Sequence, residues 1–162
     1  MERMGLIMGK YSAQTVANYF LFKQPMSQKK LHKMLFFAYS WYLYEKNDED
    51  SFENKLFEPE ESSKGFQAWV HGPVYRELYP KYANNGFREI YQLNFDETLI
   101  DDADKKFFEE IFDVFGTESA DELEKMSHTF VSWKKPREGL NEYEPCSEVM
   151  DDSLIYMDIL LS

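Results

Sequence analysis

Residues 31–44 read Leu31-His32-Lys33-Met34-Leu35-Phe36-Phe37-Ala38-Tyr39-Ser40-Trp41-Tyr42-Leu43-Tyr44. Leu31, Met34, Leu35, Ala38, Trp41 and Tyr42 fall at helical spacing, and Phe36, Phe37, Tyr39, Leu43 and Tyr44 fill the remaining sides. A helix apolar nearly all round must be wrapped by its neighbours, so this stretch predicts a central helix. Ser27 is placed to cap its start, and the pattern fades near Glu45. Upstream, Ser12 caps a first helix bearing Val16, Ala17, Phe20 and Leu21, which Pro25 stops.

Downstream, Glu45–Lys64 is acid-rich and aperiodic and reads as a loop. Gly65–Val70 suits a short strand. Gly72-Pro73 turns the chain, and Pro73 sits well in the first turn of a third helix through Tyr75, Leu78, Tyr79 and Tyr82, ended by Asn84-Asn85-Gly86. Glu89–Phe95 alternates poorly and allows a short strand. Asp101 or Asp102 caps a fourth helix with the stripe Phe107, Phe108, Ile111, Phe112 and Phe115, closed by Gly116 at C′. Ser119 to Glu122 forms a capping box for a fifth helix bearing Leu123, Met126 and Phe130. Lys134–Pro145 is irregular, and Ser147 caps a last helix to Leu161. The expected fold is mainly α: a single compact helical domain around the central apolar helix, with a minor short β element.

The 162 residues fit one domain, divided into an N-terminal extension over 1–11 and a domain over 12–162. With 43% apolar and 17% aromatic residues, the chain has ample material for a core and is not a disordered chain. Charge is uneven. Residues 1–92 hold 12 Lys/Arg against 11 Asp/Glu, whereas 93–162 hold 6 against 19. Such an acidic half repels phosphate, which disfavours nucleic acid, and attracts a basic protein surface. A lone cysteine (Cys146), eight methionines and no signal-like apolar run in Met1–Lys10 suggest the cytoplasm, and no stretch is long enough to span a membrane.

No motif for metal, cofactor or catalysis stands out. His32, His71 and His128 are scattered, Cys146 is flanked by Glu144 and Glu148, and the seven glycines form no phosphate loop. Two clusters ask for an explanation: Ala68-Trp69-Val70-His71-Gly72-Pro73-Val74-Tyr75, and Met126-Ser127-His128-Thr129 followed by Trp133-Lys134-Lys135-Pro136-Arg137. Packing and capping account for both. A docking surface is the functional alternative, since Trp and Arg often anchor interfaces.

In this order these segments resemble the Panacea-domain (SocA-like) antitoxin family, which includes phage-associated GepA-type proteins. Val16-Ala17-Asn18-Tyr19-Phe20 is similar to the family's opening element, and Leu31 to Ala38, with Lys33 and Leu35, to its L-x-K-L-L-Y-x-A helix. Ala68-Trp69 with Gly72-Pro73-Val74 resembles its A-W-x-x-G-P-V string, followed by Tyr79. Leu123 to Trp133, including His128, resembles its L-x-x-x-T-H-x-x-x-P-W region, with Ser127 and Ser132 departing from the usual Thr and Pro. The resemblance spans residues 12–161. It implies an antitoxin that neutralises a cognate protein toxin, encoded beside it, by direct binding, without catalytic residues, metal or cofactor of its own. A related role is an adaptor that delivers the toxin or another client to a AAA+ protease.

On this reading, Leu31, Lys33, Leu35, Trp69, Gly72, Pro73, Val74 and His128 are scaffold, and the expected partner-binding surface contains His71, Tyr75, Arg76, Trp133, Arg137 and some acids of 93–162. The expected partner is a toxin with a basic surface. Oligomeric state and binding face are left open by the sequence. The competing class, an enzyme built on His71 and His128, requires those two imidazoles to converge in a concave pocket.

Overall fold

The computed structural model describes residues 9–162. The expected N-terminal extension therefore lies mostly outside the described residues. Its last part, residues 9–11, belongs to the domain: the Lys10 and Tyr11 amides donate to the Lys55 and Leu56 carbonyls, and the Tyr11 hydroxyl donates to Asp104 at 2.6 Å.

The fold is mainly α, with 53% of residues helical. In chain order it has α1 (Ala13–Lys23), α2 (Gln28–Lys46), β1 (Phe66–Trp69), β2 (Gly72–Tyr75), α3 (Tyr79–Tyr82), α4 (Asp102–Phe115), α5 (Ala120–Ser127), α6 (Val131–Lys134) and α7 (Asp152–Leu160). As the aromatic stretch predicts, α2 is the hub: 12 of its 19 residues are buried, and α1, α4, α5, α7 and β2 all pack on it. The Phe37 ring stacks on Phe115 of α4 at 4.5 Å, Phe36 meets Phe66 of β1 edge-on at 5.3 Å, and Phe20 of α1 meets Phe108 of α4 at 5.1 Å. Each such ring contributes about 1.5–3 kcal/mol of burial. Ser12, Ser27, Asp101 and Ser119 each accept a backbone N–H three residues on, so four of the expected caps are real.

Six expectations need correction. Pro73 does not open a helix. Residues 72–75 form a strand antiparallel to β1, with Val70-His71 as a two-residue turn, and α3 shrinks to one turn at Tyr79–Tyr82. Proline is tolerated there because β2 is an edge strand. Ser147 does not cap the last helix, which starts after Asp151. Residues 148–150 instead run along the free edge of β1, where Ala68 N–H donates to the Glu148 carbonyl at 3.1 Å and Met150 N–H to the Phe66 carbonyl at 2.8 Å. Buried strand edges need partners, and that need outweighs the local cap. The acidic loop is not wholly unpacked, since Leu56 and Phe57 are fully buried.

The remaining three are smaller. Residues 89–95 form no strand beyond a single bridge between Met26 and Ile90. Gly116 keeps a right-handed φ of −65° and is not a left-handed C′ glycine. A Cβ there would lie 2.6 Å from the Phe112 carbonyl oxygen, so close approach explains the residue. Phe130 likewise leaves α5 and packs against Phe36 and Phe37 instead.

Candidate functional site

The two clusters singled out in the sequence meet in space, around the β1–β2 hairpin. The outer edge of β2 carries the Tyr75 N–H and the Pro73 carbonyl. Helix α2 supplies their partners: His32 Nδ1 accepts the Tyr75 N–H at 3.1 Å, and Lys33 Nζ donates to the Pro73 carbonyl at 3.2 Å. Consecutive helix side chains thus replace a third strand. Because His32 Nδ1 accepts, its proton sits on Nε2, and burial lowers its pKa to about 3, so it stays neutral. Gly72, at φ 101°, fits where it does because a Cβ would meet Lys33 Cε at 2.7 Å and Ser127 Oγ at 2.9 Å. The Lys33 and Trp-x-x-Gly-Pro-Val signals are therefore two halves of one junction.

On the other side of the turn, His71 Nδ1 lies 3.2 Å from Glu124 Oε2, and His128 Nε2 lies 3.7 Å from the same oxygen. Lys29 Nζ reaches Glu124 Oε1 at 2.6 Å and Asp121 at 2.7 Å. Burial alone would raise the Glu124 carboxyl, but the Lys29 and His71 hydrogen bonds outweigh it and hold the pKa low. His128 is pushed down by burial, against the pull of Glu124, and its ring stacks on Trp133 at 3.9 Å. The two imidazoles thus converge, as an enzyme reading demands. They do so on an ion-paired carboxylate, and the cleft described below is lined by other residues. Among the described residues, no group of three or more His, Cys, Asp or Glu is placed to hold a metal ion, and no helix is long and apolar enough to cross a membrane.

Burial drives Lys33 to a pKa of about 7, with Lys29 adding and Glu124 opposing. The unfolded chain holds that proton up to about pH 10.4. Between these values the unfolded state binds more protons, so stability rises with pH, by up to about 1.4 kcal/mol per unit. Below the folded value both states are protonated and the contribution is flat. Urea unfolding of the protein and of Lys33→Met between about pH 7.5 and 9.5 checks this. The native chain gains stability over that window relative to the variant, and parallel profiles would refute the buried amine.

The expected partner-binding residues scatter. His71 is exposed, at the tip of the hairpin, and Arg76 is half-buried, its guanidinium 6.0 Å from the Tyr79 ring. Trp133 is half-buried, and its indole N–H donates to the Trp69 carbonyl at 2.9 Å. Tyr75 (1% exposed) and Arg137 (7%) are interior, which corrects their assignment to a docking surface. Arg137 acts as a clamp: Nη1 donates to the Ala68 carbonyl at 3.0 Å, and Nη2 to the Glu144 carbonyl at 2.7 Å, with Glu142 and Asn141 at 3.3 and 3.4 Å. The residues named as scaffold lie mostly inside. Leu31, Lys33, Leu35, Gly72, Pro73 and Val74 are buried, and Trp69 and His128 are half-buried.

Sequence reasoning missed a different surface. Between α3 and α4 the chain runs in an irregular extended path, pinned by the Ile90 N–H to the Met26 carbonyl at 2.8 Å and by Phe95 against Tyr19 at 5.3 Å. Between these pins it displays Tyr91 (64% exposed) and Leu93 (83%), and just before the first pin Phe87 (96%). Its signal in the sequence is apolar residues without helical spacing after a turn, which also fits a weak strand. No protein-family model, curated protein or solved structure matches the chain.

Proposed function

We propose that the chain is a cytoplasmic antitoxin that neutralises a protein toxin by binding it directly. The family resemblance of its motifs supports the toxin as partner. The observation that carries protein binding is the 87–93 segment: large apolar side chains held out in solvent, with Tyr91 and Leu93 between fixed points at Ile90 and Phe95 and Phe87 just before the first. Exposed apolar side chains of this size are the anchors from which interfaces are built. Pinning lowers the ordering cost of binding. The charge of residues 93–162, 19 acidic against 6 basic, favours a basic partner and speeds its approach.

Co-expression with the product of the neighbouring gene tests the reading. The native chain rescues growth, and Leu93→Asp, which alters only an exposed side chain, rescues weakly or not at all. Continued arrest in the presence of the native chain would refute it. Protection that disappears when a AAA+ protease is deleted would convert sequestration into delivery for degradation.

A further inference from the structure

A cleft of about 850 Å³ opens between the acidic loop, β1 and the start of α7, away from the 87–93 segment. Its walls include Phe66, Val149 and Ile155, and its polar side is an ion-pair network. Lys55 Nζ bridges Glu58 Oε1 at 3.1 Å and Asp152 Oδ2 at 3.0 Å, and the Tyr39 hydroxyl donates to Asp152 Oδ1 at 2.7 Å. Every oxygen of Asp152 and the ammonium of Lys55 are thereby engaged. Two polar atoms are left over. Glu58 Oε2 and the Tyr75 hydroxyl are both buried and both lack a hydrogen-bond partner, and Tyr75 is 1% exposed while lining the cleft. A buried polar atom without a partner is destabilising and asks for an explanation.

Glu58 Oε2 can only accept, so what it lacks is a donor, and the Tyr75 oxygen has lone pairs free to accept from the same group. Glu58, Glu60, Asp151 and Asp152 outnumber Lys55 around the cleft, so the donor should be cationic. The apolar walls suit an aliphatic stem behind it, and the volume lies within the range of small-ligand sites. A guanidinium meets these demands better than an ammonium. It is planar, offers several donors at once and is more weakly hydrated, so it enters a partly buried site at lower cost. We propose that this cleft binds an alkyl guanidinium, such as an arginine side chain, with Glu58 and Tyr75 as its acceptors. The proposal goes beyond toxin neutralisation and stands whether or not that reading holds.

Two-dimensional amide NMR with the whole chain tests it, using N-acetyl-arginine-N-methylamide, its citrulline counterpart and a short arginine-containing peptide. The arginine probe shifts amides of residues 58–66 and 149–155 with a roughly millimolar constant, as suits one side chain. The neutral citrulline probe binds at least about tenfold more weakly. A peptide that binds about tenfold or more tightly than the single residue identifies a protein segment as the source, and equal affinity identifies a free small guanidine. Glu58→Gln and Tyr75→Phe each weaken the arginine probe by about fivefold or more. Tyr75→Phe also raises Tm by about 2–4 °C, because it removes an unpartnered hydroxyl. A misfolded variant would lower Tm instead, so the two readouts separate lost binding from lost structure. Absence of amide shifts with the arginine probe, equal binding of citrulline, or affinity unchanged in both variants would overturn the proposal.

Discussion

Gly72→Ala is expected to destabilise the domain by about 2–6 kcal/mol, a large part of the stability of a typical domain. Two costs combine. At φ 101° an L side chain is strained, by about 1–3 kcal/mol. The new methyl would also sit 2.7 Å from Lys33 Cε and 2.9 Å from Ser127 Oγ. Neither neighbour has room to retreat, because Lys33 and Ser127 are both buried, so overpacking adds about 1–3 kcal/mol. Gly139→Ala is the internal control. Gly139 also has positive φ, at 86°, but a Cβ there meets nothing within 4 Å. Urea unfolding of both variants separates strain from collision. Equal losses would mean that α2 and the hairpin are not in the close contact described.

Arg137→Met is expected to cost about 3–5 kcal/mol, because it strips charge-assisted donors from the buried Ala68 carbonyl and from the carbonyls of residues 141–144, and removes a packed side chain. The Ala68 carbonyl on β1 and the Glu144 carbonyl in the following loop lose their partner together. The guanidinium also packs 5.1 Å from the Trp133 ring, a contact that disappears with it. Arg137→Lys keeps the charge but not the planar fork, and recovers less than half of the loss. Hydrogen exchange locates the damage. Faster exchange is expected first in residues 138–145 and along β1, with α1 and α4 unchanged. A variant as stable as the native chain would return Arg137 to the surface role that its sequence context suggests.

That contrast shows what the sequence could and could not reveal. Caps at Ser12, Ser27, Asp101 and Ser119 are local chemistry, and the stripe on α2 repeats over many residues, so α1, α2, α4 and α5 were legible. The second strand of the hairpin was not, although Gly65–Val70 does read as the first. Gly72-Pro73 is compatible with a helix start, and only the distant His32 and Lys33 make an edge strand the better outcome. The same holds for residues 148–150, whose conformation answers the open edge of β1 and not their own propensities. Arg137 follows Trp133 in a basic patch, so it reads as exposed, yet the carbonyls it satisfies lie on β1 and in the next loop. The convergence of His71 and His128 on Glu124 was invisible for the same reason: spacing along the chain says nothing of a carboxylate on another element. Phe87, Tyr91 and Leu93 carry no periodicity, so only the fold shows that they remain outside.

The most direct measurement is calorimetric titration of the purified chain with the purified product of the neighbouring gene, repeated for Leu93→Asp and at raised salt. An equimolar complex in about the nanomolar range is expected, weakened about tenfold or more by the substitution and associating more slowly as salt screens the acidic surface. No heat at micromolar concentrations of either protein, or full affinity with Leu93→Asp, would contradict binding through the exposed segment.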